Sequence, residues 1–206
     1  MRIEKPRQDL SDAQDYLEEM RHADSFHKFE RSWLNLLTSL SRAWHRTNAC
    51  IAPYESVKSH ETVRLAKKLI GEGGDELLVY LRMARNASEH GLEDITRQEP
   101  WSLFVDASGV RNSLLAQFMA DKTEYVTLEK PNGRRAYFRP SRAVPVAIKI
   151  KQKGAATVKE YLPPTKHLGA EIDGSSAMEL GRLGISYYKK TIEEILGLLD
   201  KDTGGN

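Results

Sequence analysis

Cys50 is the one cysteine in this 206-residue chain. A single thiol excludes an internal disulfide framework and a cysteine-based metal cluster. Its simplest reading is a small, buried or half-buried apolar group. No stretch approaches the roughly 18 consecutive apolar residues of a membrane span, so no membrane partner is expected. The opening residues, Met1-Arg2-Ile3-Glu4-Lys5-Pro6-Arg7-Gln8-Asp9, lack the apolar run of a secretory signal, and a cytoplasmic location is the matching expectation. His22, His27, His45, His60 and His167 stand at no HExxH or other metal-ligand spacing. They are expected at the surface, with no metal and no cofactor. Gly71, Gly73 and Gly74 follow no strand and precede no lysine-serine or lysine-threonine pair, which argues against a phosphate loop.

Net charge is also small, at +2, but it is spread unevenly. Between Lys122 and Lys166, eleven basic residues stand against three acids, so that segment carries +8 and the remainder −6. This asymmetry suits a polyanion partner. A solvated sheet face with lysine-protected edges has the same composition. Both readings stay open at this stage.

What the chain does have is helical periodicity over its first hundred residues. Asp9 to Arg21 reads as a short amphipathic helix. Asp24 or Ser25 can cap a longer one, in which Phe26, Phe29, Trp33, Leu36, Leu37, Leu40 and Trp44 recur at spacings of three and four. Pro53 separates it from a third helix over residues 55–70. Asp75 is placed to cap a fourth, and Gly91 to stop it. Residues 92–121 are hard to read, with a strand over 101–105 and a short helix over 112–120 as candidates. From Glu124 the period becomes two. Residues 125–128 and 136–139 flank Pro131-Asn132-Gly133, a hairpin signal. Two further strands are expected over 144–150 and 157–162. Ser176 and Glu179 form a capping-box pattern ahead of a last helix, and residues 203–206 read as a loose tail. The expected fold class is mainly α, of α+β type. A helical bundle (1–121 with 172–206) carries a basic antiparallel β insertion (122–171) before the last helix, all in one compact domain.

Within the fourth helix, Arg85-Asn86-Ala87-Ser88-Glu89-His90 places a permanent cation, a carboxamide and an imidazole within one and a half turns. With sixteen arginines and six histidines in the chain, an Arg-x4-His spacing arises by accident about once in two such sequences. The asparagine after the arginine gives the pattern its weight. At about 100° per residue, Asn86 and His90 share a helix face while Arg85 lies about 140° from His90. A second chain packed nearby would relieve that misalignment across a two-fold axis.

Arg85-Asn86-x-x-x-His90, late in a helix of a helical bundle, resembles the signature of the HEPN superfamily. Its members include helical proteins of mobile elements, toxin–antitoxin pairs and antiviral defence systems. The resemblance covers residues 10–92 and 174–200. It implies a metal-independent endoribonuclease that cuts RNA at a composite homodimer site, and it allows an antitoxin or effector-complex partner. It also implies catalytic roles. Arg85 would hold the scissile phosphate, His90 would move the proton, and Asn86 would orient His90 or the phosphate. Guanidinium and imidazole are chemically suited to these tasks. Two features depart from the family pattern: Leu92 stands where one toxin subgroup has a tyrosine, and the β insertion lies outside the minimal core. Arg134, Arg135, Arg139, Lys149 and Lys151 are the candidate RNA-binding residues of that insertion, with Tyr125, Tyr137 and Phe138 available either to stack on bases or to pack the sheet. A non-catalytic nucleic-acid or protein-binding module is the alternative function.

Overall fold

The computed structural model describes residues 3–89, 95–99, 102–105, 126–129, 135–139, 142–151, 158–172 and 176–204. The apolar stripe forms α2 (Phe26–Ile51), whose first turn is capped by Ser25 accepting from the Lys28 N–H. Trp33, Leu36, Leu37 and Leu40 are buried along it. Preceding it, α1 (Glu4–Arg21) begins five residues earlier than expected, with Pro6 in the first turn, where a missing N–H costs nothing. Asp9 ties the two helices together. Its buried carboxylate accepts from Arg46 Nη1 at 2.9 Å to each oxygen and lies 3.4 Å from Arg42 Nε. Burial pushes the Asp9 carboxyl up, against the pull of both guanidiniums. Paired in this way, the charge is tolerated inside the fold.

The expected third helix is two. Ser59 Oγ turns back onto the Glu55 carbonyl at 2.8 Å and closes α3 (Glu55–Lys58) after one turn, a side chain competing with the helical ladder. His60 then starts α4 (Glu61–Ile70) by accepting from the Thr62 N–H. Asp75 caps α5 (Glu76–Glu89) as expected, accepting from the Leu78 N–H at 3.1 Å. The last helix, α6 (Ala177–Gly204), is capped by Ser176. Only half of the capping box forms, because the Glu179 carboxylate takes Arg182 instead. The helix also runs on through Thr203, which was expected in a loose tail; its hydroxyl bonds back to the Leu199 carbonyl. Cys50 is buried beside Ile51, Val57 and Val63, as a small apolar thiol should be.

Short antiparallel strands fill the segment between α5 and α6. β1 (Thr96–Glu99) pairs with β5 (Arg142–Pro145), and β4 (Arg135–Arg139) lies between β2 (Ser102–Val105) and β3 (Val126–Glu129). The β3–β4 pairing matches the hairpin read from the sequence; Tyr125 and the Pro131-Asn132-Gly133 turn lie outside the described residues, as do Gly91, Trp101 and residues 112–120. The single strand expected over 144–150 is broken into β5 and β6 (Ile148–Lys151), the latter paired with β7 (Val158–Tyr161). At the break, the Val146 carbonyl accepts from the Tyr80 hydroxyl of α5 at 2.9 Å, and its N–H donates to Ile95. Ile148 is buried in the bundle core. These contacts fasten the insertion to α5. A further hairpin, β8 (Lys166–His167) with β9 (Ala170–Glu171), was not expected. Its turn uses positive φ at Leu168 as well as Gly169, and a leucine there hides the turn signal.

Close packing occurs where α6 crosses α1, α2 and α5. A Cβ on Gly181 would stand 3.2 Å from Leu36 Cδ1 and 3.3 Å from both Leu17 Cδ1 and Trp33 Cζ3. On Gly184 it would stand 2.5 Å from Leu81 Cδ1 and 3.4 Å from Leu40 Cδ1. The two glycines thus set how closely α6 approaches α1, α2 and α5. Gly184→Ala is expected to destabilise the protein by about 1–3 kcal/mol in urea unfolding, through overpacking. Gly197→Ala, on the same helix with nothing within 4 Å of the new methyl, is expected to stabilise it by about 0.5–1 kcal/mol. Equal effects at the two positions would refute the close-packing account.

Candidate functional site

The buried face of α5 is made by Leu77, Leu78, Leu81, Ala84 and Ala87. Arg82 and Arg85, one turn apart and therefore on neighbouring parts of the helix surface, flank that face and are half-buried. Arg85 Nη1 donates to Asn86 Oδ1 at 3.2 Å. The carboxamide therefore orients the guanidinium, a role the sequence reading had given it toward His90 or the phosphate. His90 itself lies outside the described residues.

Arg85 lines a cleft of about 220 Å³. Trp44 and His45 of α2, Lys67 of α4, Arg82 of α5 and Tyr188 of α6 share that lining, and no carboxylate belongs to its described walls. Trp44 and Tyr188 meet edge to face, with ring centroids 6.4 Å apart. Tyr188 is deeply buried; burial and the neighbouring Tyr187 raise its phenol above the ordinary range, while Arg82 acts in the opposite direction. Four cationic or protonatable side chains around one small apolar-walled cleft make a site for an anion.

The start of α5 is held by the unexpected hairpin. Asp75 Oδ1 lies 2.9 Å from His167 Nδ1, and its other oxygen accepts from the Leu168 N–H at 2.6 Å. Since a carboxylate only accepts, Nδ1 is the protonated ring nitrogen. Glu76 adds bonds from the Thr165 and Lys166 N–H groups. His167 is thus a half-buried structural residue stacked edge-on against Tyr187, while His22, His27, His45 and His60 are exposed.

The basic insertion contributes less to this site. Lys149 is exposed on β6, opposite Glu160 of β7 and 3.8 Å from its carboxylate, and it does not line the cleft. Lys159 bonds to Glu72. Arg135 and Arg139 end β4 and Lys151 ends β6, and Arg134 lies outside the described residues. Sequence reasoning missed Arg82, Lys67 and His45. The i, i+3 spacing of Arg82 to Arg85 was available as a signal for the first. Nothing in the sequence links α4 or the second half of α2 to them. Among the described residues no group of three or more His, Cys, Asp or Glu side chains is placed to hold a metal ion, and no helix there is long and apolar enough to cross a membrane. No family model, curated protein or solved structure matches the chain.

The Asp75 clasp has a pH signature. Burial alone would raise its carboxyl, but hydrogen bonds from His167, Leu168 and Leu78 outweigh it and hold the group below its usual range. A depressed acid contributes stability that is complete above the unfolded value of about 4 and is lost as pH falls through the lower folded value. Asp75→Asn is therefore expected to cost about 1–3 kcal/mol at pH 7 and to flatten the acid limb of stability below about pH 4. Thermal unfolding across pH 2–7 measures both; parallel curves for the two proteins would exclude the clasp as an acid-sensitive element.

Proposed function

We propose that this chain is an endoribonuclease of HEPN type that cleaves RNA through Arg85, Asn86 and His90. The observation that carries the reading is the placement of Arg85. It is steered by Asn86 and lines a cleft shared with His45, Lys67 and Arg82. A guanidinium grips two phosphate oxygens in fork geometry and stays charged at any working pH. That charge is suited to a phosphorane, where negative charge grows on the non-bridging oxygens. The ribose 2′ oxygen attacks phosphorus, forming the P–O2′ bond as the P–O5′ bond breaks. The 2′-OH proton leaves to a base, and an acid delivers a proton to the departing 5′ oxygen. His90 is assigned to this proton transfer by the resemblance. The products are a 2′,3′-cyclic phosphate and a 5′-hydroxyl. Two chains brought together would place a second Arg-Asn-x3-His element beside the first, which answers the angular separation of Arg85 and His90 on one helix.

The test is RNA incubated with purified protein in EDTA, beside Arg85→Ala and His90→Ala. Wild type is expected to cut. Arg85→Ala should lose about 10²–10³ in rate and His90→Ala about 10²–10⁴, with unfolding curves like the parent's. Mutants that cut as well as wild type would overturn the site. Salt-dependent RNA binding without cleavage would assign the chain to the non-catalytic class instead.

A further inference from the structure

We propose that the cleft is a binding site for a phosphomonoester, seated on Arg82 and Lys67 with a nucleobase against Trp44. Arg82 lies outside the Arg-Asn-x3-His element, and the proposal holds whether or not the chain cleaves RNA. It begins with the edge of the guanidinium formed by Nε and Nη2. Arg7 uses that edge in this protein to grip Glu193, at 3.0 Å and 2.9 Å, and Arg182 uses it on Glu179. On Arg82 the same two nitrogens are buried and make no hydrogen bond among the described residues. Buried donors of a charged group are costly to leave without an acceptor. The Trp33 indole nitrogen is also without an acceptor, but Trp33 is sealed in the core, where no ligand enters. Arg82 faces the cleft.

A side-on fork takes two oxygens of one oxyanion. The rest of the lining sets the charge of that anion. Lys67 and His45 are exposed at the cleft, from α4 and α2, and Arg85 adds a third neighbouring positive or protonatable group. Glu72, whose carboxylate also senses Arg82, is hydrogen-bonded to Lys159 and is not part of the lining. The surroundings therefore favour a doubly charged anion, which a terminal phosphate is near neutral pH. Trp44 of α2 also lines the cleft, in edge-to-face contact with Tyr188, and an aromatic ring there can stack on a base. The cleft encloses about 220 Å³.

The phosphate can belong to a free nucleotide or to an RNA end, and calorimetric titration separates them. The ligands are AMP, adenosine, inorganic phosphate, and a short RNA with either a 3′-phosphate or a 3′-hydroxyl. AMP is expected to bind and adenosine to bind at least about tenfold more weakly, since the lost contact is a charge-assisted pair. Arg82→Met, which keeps the packing stem, should weaken AMP binding by about tenfold or more. Lys67→Gln, at an exposed position, should weaken it severalfold with an unchanged unfolding curve. A preference for the 3′-phosphorylated RNA over AMP would make the RNA end the natural occupant; the reverse would make it a free nucleotide. Wild type that binds none of the phosphate ligands, or both variants binding AMP as wild type does, would overturn the site. Neither result would touch the cleavage assay, which reads Arg85 and His90.

Discussion

The helical bundle depends on the close approach of α6 to its neighbours at Gly181 and Gly184. With hydrogen in place of a side chain, α6 settles onto Leu36 and Trp33 of α2 and onto Leu81 of α5. Dispersion and burial reward that approach only at short range, so the distance is set by sterics. One turn further along α6, Tyr188 closes the floor of the cleft. The same crossing fixes α5 against α2 and so determines how far Arg82 and Arg85 stand from Trp44 and His45. Core packing and site geometry are thus one constraint.

α5 is held from outside the bundle as well. Asp75 and Glu76 receive the β8–β9 hairpin at its start, and Tyr80 anchors the β5–β6 break. The insertion therefore acts on the helix that carries the arginines, through neutral and acidic contacts rather than through its lysines. Its charge is partly met within the fold, by Glu72 on Lys159 and Glu160 beside Lys149. Among the described residues, the basic side chains that line the cleft come from the bundle itself.

Much of the helical frame was legible. The stripe from Trp33 to Leu40, the caps Ser25, Asp75 and Ser176, and the β3–β4 pairing all follow from local rules of periodicity and capping. What escaped was non-local. The break at Ser59-His60 depends on a hydroxyl turning back on its own helix. The β5–β6 break depends on a hydroxyl sixty-six residues away, and the β8–β9 turn uses a leucine at positive φ. The site shows the same division. Arg85 and Asn86 were visible as a local motif, whereas Lys67 and His45 join them only through helix packing. The hydrogen bond from Arg85 to its neighbour Asn86 was not read from the spacing, because it joins adjacent side chains rather than residues four apart.

The central claim is chemical: a phosphodiester cut by its own 2′ oxygen, with Arg85 carrying the developing charge. Mass spectrometry of the RNA ends left by the wild-type protein tests it most directly. A 2′,3′-cyclic phosphate and a 5′-hydroxyl are expected, with no cut at a linkage whose 2′ oxygen is replaced by hydrogen. A 3′-hydroxyl with a 5′-phosphate, or cleavage of the deoxy linkage, would contradict it.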